Sequence, residues 1–109
     1  MTVQMLIIVE VRDRYALAEC LQAYTERVGP LLSKTQGLHA AYLAGEEGKS
    51  TLAIVTLFWT NREAAMAWLN SGGDSTLQGT LRPYSLGEVI LKVFRVEHEH
   101  EKIRRHLIN

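Results

Sequence analysis

The sequence predicts a single α+β domain of the ferredoxin-like type, in which a β-α-β-β-α-β order forms a four-stranded antiparallel sheet. Its 109 residues suit one domain, and an apolar share of 47% is enough for a packed core. Four short apolar runs bounded by turn residues alternate with two segments of helical periodicity. We therefore predict one domain over residues 1–96 and a charged C-terminal extension over residues 97–109.

Bulk composition limits the classes of partner and compartment. Lys plus Arg and Asp plus Glu both total 12, so no net charge favours nucleic acid or an anionic membrane as partner. Cys20 is the one cysteine, which excludes an intrachain disulfide. No apolar run approaches the ~20 residues that span a bilayer. The first residues show no basic region and no small-residue cleavage site, so we expect no leader. We expect a cytoplasmic protein.

The first strand and first helix follow from residues 5–37. Residues 5–11 are almost wholly apolar and β-branched, as in a strand that is buried on both faces. Asp13 is a candidate helix N-cap. A helical stripe then comprises Leu17, Leu21, Tyr24, Val28 and Leu31. Pro30 has no N–H to donate and predicts an interruption, and Gly37 is a candidate C-terminal cap.

The middle of the chain predicts a β-hairpin. A polar, glycine-flanked turn over residues 45–50 separates the apolar runs 38–44 and 51–59. One face of the third strand carries Leu52, Ile54 and Phe58, and the other carries Ala53, Val55, Leu57 and Trp59. Because helices cover only one face, a second copy packing sheet to sheet is predicted to cover the other. The sequence therefore predicts a homodimer.

A second helix is predicted over about residues 61–70, directly after Trp59. Thr60 or Asn61 can cap it by accepting a hydrogen bond from a first-turn amide. If Thr60 is the cap, Glu63 is its reciprocal partner in a capping box.

The C-terminal third predicts a loop, a strand and a polar tail. Residues 76–87 predict a loop, with a helical turn inside it as the alternative, and residues 89–96 predict the last strand. Residues 97–109 are highly charged. His98 and His100 are two residues apart, so in an extended strand both imidazoles would lie on one face, where they could bind a metal ion. No third ligand follows at an interpretable spacing, so a solvated extension is favoured and no metal site is predicted.

The junction between the third strand and the second helix carries a family resemblance. Its residues are Phe58-Trp59-Thr60-Asn61-Arg62-Glu63-Ala64, followed by Trp68-Leu69-Asn70-Ser71. Over about residues 3–96 the chain resembles the antibiotic-biosynthesis-monooxygenase family of dimeric α+β barrels. The resemblance implies a homodimeric barrel and a cofactor-independent monooxygenase, or a related isomerase, acting on a small aromatic or quinone-like molecule. The heme-degrading branch has a histidine shortly after the second helix, whereas residues 75–80 hold none, so heme is disfavoured.

Six residues are candidates for the site, which is predicted in the cleft between the sheet and the helices. Trp59 and His39 are the catalytic candidates, because an indole N–H can donate to a substrate anion and an imidazole suits proton transfer. The candidates for substrate binding are Tyr42, Trp68, Arg82 and Tyr84. Among the six candidates, only Trp59 is assigned its role by its match to the family motif.

Purely structural roles are the alternative for the same residues. Both tryptophans could be buried packing residues of the core, and a histidine on a strand is often structural. A non-catalytic small-molecule-binding or stress-response protein of the same fold is therefore the alternative function.

Overall fold

The computed structural model describes residues 2–48 and 51–97 and confirms the ferredoxin-like fold. The elements are β1 (Val3–Glu10), α1 (Arg14–Ala23), a π-helical turn (Tyr24–Val28), α2 (Gly29–Ser33), β2 (Leu38–Gly45), β3 (Leu52–Trp59), α3 (Arg62–Asn70), α4 (Gly73–Leu81), a 3-10 turn (Arg82–Tyr84) and β4 (Ile90–Arg95). The four strands pair antiparallel in the order β2-β3-β1-β4.

The two faces of the sheet have different environments. The helices pack over the helix-covered face, where β1 and β3 bury Val3, Met5, Ile7, Val9, Ala53, Val55, Leu57 and Trp59. Opposed residues share a face, so the register defines the open face as Gln4, Leu6, Ile8, Glu10, Ala40, Tyr42, Ala44, Leu52, Ile54, Thr56, Phe58, Ile90, Lys92 and Phe94. The predicted two-sided apolarity is confirmed, and in one chain only one face has cover.

A π-helical turn changes the phase of the first helix. Pro30 has no N–H, and the N–H of Gly29 donates to the carbonyl of Tyr24, five residues back. The wider turn moves the buried stripe one residue along, so Leu32 is 6% exposed while Leu31 is 54% exposed. The prediction that Leu31 ends the stripe is wrong for this reason.

Asn61 caps α3, as one of the two predicted alternatives has it. Its side-chain oxygen accepts a hydrogen bond of 2.8 Å from the backbone N–H of Ala64. Thr60 has another role, because its hydroxyl donates to the carbonyl of Gly37 at 3.2 Å. The capping box between Thr60 and Glu63 is therefore not formed.

α4 occupies much of the segment that was predicted as a loop. Gly72 adopts a left-handed φ of 85° and the helix begins at Gly73. Leu77 and Leu81, four residues apart, are each 1% exposed and join the core beside the π-helical turn. The loop prediction is wrong over residues 76–81, because the packing of these leucines outweighs the poor helix propensity of the surrounding glycines.

The two histidines considered as metal ligands, His98 and His100, belong to residues 98–109, which lie outside the described residues. Within the described ranges, no helix has the length and apolarity needed to cross a membrane.

Candidate functional site

Two tryptophans form the centre of the candidate site. Trp59 ends β3 on the helix-covered face and is 0% exposed. Its ring centroid lies 5.4 Å from that of Trp68 in α3, with the planes tilted by 41°. A Cβ atom at Gly73 would overlap the Trp68 indole, so a glycine there lets α4 begin against this ring. Trp68 is thus held between Trp59 and the start of α4.

The indole N–H of Trp59 is a buried donor without a partner. Within residues 2–48 and 51–97 it is the one fully buried side-chain nitrogen or oxygen that makes no hydrogen bond. Leaving such a donor unpaired costs about 1–3 kcal/mol, so these groups are rare in folded proteins. A ligand oxygen that reached this nitrogen would recover that cost.

The site lies at one end of the sheet, which we call the tryptophan end. Here Trp59 pairs with Val3 on one side and with Leu38 on the other. The turn formed by residues 34–37 closes this end, because the Gly37 carbonyl accepts hydrogen bonds from the Thr60 N–H at 2.9 Å and the Thr60 hydroxyl at 3.2 Å. Gly37 has a left-handed φ of 84°, and a Cβ there would overlap Ala64.

Three clefts surround this turn, and Thr35 lines all of them. The Trp68 groove has a volume of about 800 Å³ and is bordered by Asn61, Glu63 and Trp68. The α4 cleft, of about 260 Å³, reaches Trp68 from its other side, beside Gly73. The His39 cleft has a volume of about 360 Å³ and lies between the π-helical turn and β2. The volumes of the Trp68 groove and the His39 cleft are in the range that holds small molecules, whereas the α4 cleft is slightly smaller.

Three of the six predicted site residues lie at the tryptophan end, although not in one cleft. Trp59 and Trp68 contact each other, and Trp68 lines two of the clefts, whereas Trp59 lines none of the three. His39 is exposed and lines the third, where the β2–β3 register shifts between Leu38 and Ala40. Their catalytic and binding roles stay predictions.

The other three predicted residues lie elsewhere in the chain. Arg82 and Tyr84 form the 3-10 turn at the opposite end of the sheet, where Leu86 N–H donates to the Glu10 carbonyl at 2.7 Å. Tyr42 lies on the open face, 60% exposed and edge-on to Phe58 with the ring centroids 6.2 Å apart. One chain therefore does not bring these side chains to Trp59.

Tyr24 belongs to the site region, although the sequence analysis treats it only as part of a core stripe. It is 8% exposed and lines the His39 cleft opposite β2. Burial raises the pKa of the Tyr24 phenol, so it stays a neutral hydrogen-bond donor. The one sequence signal for it is the following Gly29-Pro30 pair, which predicts irregular helix at this position.

Two other observations bear on reactive or metal-binding groups. Burial raises the pKa of the Cys20 thiol, which agrees with its interpretation as a packing residue. Among the described residues no group of three or more His, Cys, Asp or Glu side chains is placed to hold a metal ion.

Comparison with known proteins establishes the fold. No protein-family model and no curated protein sequence matches the chain. It is similar to SnoaB of Streptomyces nogalater, a cofactor-independent oxygenase, with TM-score 0.74 and 18% identity over 93% of this chain and 98% of that one. It is also similar to a monooxygenase from ActVA-Orf6 of Streptomyces coelicolor, solved with nanaomycin D, with TM-score 0.75 and 13% identity over 90% and 89%.

A third similar structure is Rv0793 of Mycobacterium tuberculosis, with TM-score 0.73 and 12% identity over 91% of this chain and 98% of that one. SnoaB and ActVA-Orf6 are structures of the antibiotic-biosynthesis-monooxygenase type. The chain has their fold, which confirms the predicted resemblance at the level of fold.

Proposed function

We propose that this protein is a cofactor-independent monooxygenase, or a related isomerase, that acts on a small aromatic or quinone-like molecule at the tryptophan end. The observation that carries the proposal is the buried, unpartnered N–H of Trp59 beside Trp68, a ring that lines two clefts. The fold shared with a cofactor-independent oxygenase supports the reaction class.

The reaction needs a substrate that supplies its own electrons. In an anthrone, loss of a proton from the ring CH₂ gives an anion that reduces O₂. One oxygen atom is retained as a new C=O group, and the other leaves as water with both ring hydrogens. The protein then has to remove a proton and stabilise negative charge on oxygen. In this proposal His39 accepts the proton and the Trp59 N–H donates to the developing oxyanion.

Oxygen uptake tests this proposal. A panel of anthrones and hydroxylated naphthalenes would be compared on wild type and Trp59→Phe. Removing one positioned donor is expected to lower turnover at least ~10-fold. Because Trp59 is 0% exposed, the smaller ring also leaves space in the core, so uptake is normalised to the folded fraction at the assay temperature.

Trp68→Phe is the matched control, because it shortens the other indole of the same pair. We expect it to retain more turnover than Trp59→Phe, since Trp68 does not hold the buried unpaired nitrogen. Equal turnover by wild type and Trp59→Phe would show that Trp59 has no role in the mechanism, while the conclusion that the protein is an oxygenase would stand.

A non-catalytic small-molecule-binding or stress-response protein is the second candidate. The observation that favours it is the separation of Arg82, Tyr84 and Tyr42 from the tryptophan end. Ligand binding by the wild type without oxygen uptake on any member of the panel would establish this alternative.

The functional unit in our proposal is a homodimer with the open faces packed together. Large apolar side chains remain exposed there in one chain: Tyr42 at 60%, Ile90 at 46% and Phe94 at 43%. A second copy would cover them and form the predicted barrel. A cytoplasmic location stays a prediction.

A further inference from the structure

Two irregular backbone segments face each other across the His39 cleft. The π-helical turn provides Tyr24 and Gly29 on one side, and β2 provides Leu38, His39 and Ala40 on the other. The β2–β3 register shifts between Leu38 and Ala40, which leaves His39 outside the regular pairing. Both π-helical turns and β-bulges occur preferentially at functional sites, where they redirect side chains.

Each irregularity has a consequence for the cleft. The buried stripe across the π-helical turn comprises residues 20, 24, 28 and 32, so Tyr24 is part of the core and also lines the cleft. The bulge brings His39 to the same cleft, although the side chains of a regular strand would alternate between the faces. Neither feature is needed for the sheet itself.

The hydroxyl of Tyr24 is available in this cleft. It makes no hydrogen bond with any residue in the described ranges, and it is not among their fully occluded polar atoms, although the whole residue is 8% exposed. The other hydroxyls of the cleft are engaged with the backbone. Ser33 donates to the Pro30 carbonyl and Thr35 to the Leu31 carbonyl, each at 2.8 Å.

We propose that the His39 cleft is a binding subsite for the hydroxyl group of a phenolic ligand, held between Tyr24 and His39. The His39 imidazole accepts a hydrogen bond from the ligand O–H, and the ligand oxygen accepts a hydrogen bond from the Tyr24 hydroxyl. No covalent bond forms or breaks in this binding step.

The chemistry of the walls selects the ligand class. Gly29, Leu32 and Ala40 contribute apolar walls to a cleft of about 360 Å³ with a mixed lining, a volume that suits one or two aromatic rings. Burial keeps the Tyr24 phenol protonated by raising its pKa, so it donates and does not compete as an anion. The choice of a phenol rests on the proposed function, whereas the two contacts rest on the geometry of the cleft.

Binding of 2-naphthol tests the subsite. Its dissociation constant would be measured by calorimetry on wild type, Tyr24→Phe and His39→Gln, with 2-methoxynaphthalene as the ligand that has no hydroxyl to donate. Tyr24→Phe removes one oxygen atom and keeps the ring, and His39 is exposed, so both variants are expected to fold. The matched controls are Tyr15→Phe, which alters a tyrosine 69% exposed on α1, and Ser33→Ala within the cleft.

We expect each of the two variants to weaken 2-naphthol binding ~3–10-fold, the usual effect of losing one hydrogen bond between neutral groups. The two controls should leave it unchanged. In the wild type, the His39 imidazole proton resonances should shift saturably with 2-naphthol. Equal binding of the methoxy compound, no binding of 2-naphthol to the wild type, or unchanged binding by both variants would overturn the subsite.

The outcomes separate this inference from the proposed function. If both variants weaken 2-naphthol binding but no substrate gives oxygen uptake, the subsite stands and the monooxygenase is wrong. If oxygen uptake occurs and is the same in Tyr24→Phe, His39→Gln and wild type, the monooxygenase reaction stands, but the subsite is wrong and His39 is not the proton acceptor of that reaction.

Discussion

The helix-covered face and the open face of the sheet are built from alternate residues of the same strands. In β3, Val55 and Leu57 are 1% and 0% exposed under the helices, while their neighbours Ile54 and Phe58 stay partly exposed. Both sets are apolar, so residue type alone does not distinguish them. The helices of the same chain cover one face of the sheet. The other face keeps large apolar side chains exposed, and a second copy of the chain could cover them.

This difference separates two sources of stability. Burial on the helix-covered face contributes to the folding of each chain, whereas burial on the open face would contribute only on association. Substitutions at adjacent positions of one strand should therefore have different physical outcomes, and the following predictions test this contrast in order of expected effect.

Leu57→Asp should prevent folding. Leu57 is 0% exposed on the helix-covered face, and a carboxylate there would be buried with no ion-pair partner. We expect a loss of at least ~4 kcal/mol in the free energy of unfolding, comparable to the whole stability of a small domain. Urea denaturation followed by circular dichroism measures it. Thr56→Asp, on the open face, is the neighbouring control and should keep the fold of the single chain.

Ile54→Asp should break the dimer and leave the chain folded. Ile54 is partly exposed on the open face, opposite Ile8 and Ala44. A charge there is solvated in the monomer but would be buried in a sheet-to-sheet dimer at a cost of several kcal/mol. Light scattering at micromolar concentration should give a dimer mass for wild type and a monomer mass for the variant. A monomer mass for the wild type would contradict the dimer.

Gly37→Ala should loosen the turn that closes the tryptophan end. The new methyl would overlap the side chain of Ala64, and the alanine would also have to adopt the left-handed φ of 84° that Gly37 has. Gly48→Ala is a matched control, because Gly48 has a φ of 80° and no atom near the added Cβ. Both should lose ~1 kcal/mol from the φ angle, and Gly37→Ala a further ~1–3 kcal/mol from crowding. Equal melting temperatures would show that the turn can move away from α3.

The helix caps should give the smallest effects and differ in their pH dependence. Asn61→Ala should cost ~1 kcal/mol at any pH, because the Asn61 side chain does not titrate. Asp13 caps α1, and the N–H of Ala16 that donates to it lowers the pKa of its carboxyl. Its stabilisation is present above the ordinary pKa of Asp and is lost as the pH falls through the lowered one.

Thermal melts of Asp13→Ala and wild type should therefore converge in strong acid, while Asn61→Ala should stay below wild type throughout. A difference between Asp13→Ala and wild type that persisted unchanged in strong acid would show that the Asp13 carboxylate does not act as a charged cap.

Local sequence patterns predict much of the fold. The continuous apolar runs of β1 and β3 predict strands, and the division of their residues between two faces follows because successive side chains of a strand point to opposite faces. Asn61 caps α3 through an amide three residues away, and Trp59 ends β3 two residues before Asn61. Features that depend on such short spacings can be predicted from the sequence by itself.

The candidate site depends on contacts between distant segments, which only the tertiary structure decides. Tyr24 and His39 line one cleft because a π-helical turn changes the phase of a helix and a bulge changes the phase of β2. Periodicity assumes a constant rotation per residue, so it does not reveal either shift. The same holds for the separation of Arg82 from Trp59 and for the unpaired indole N–H, since both follow from how whole elements pack.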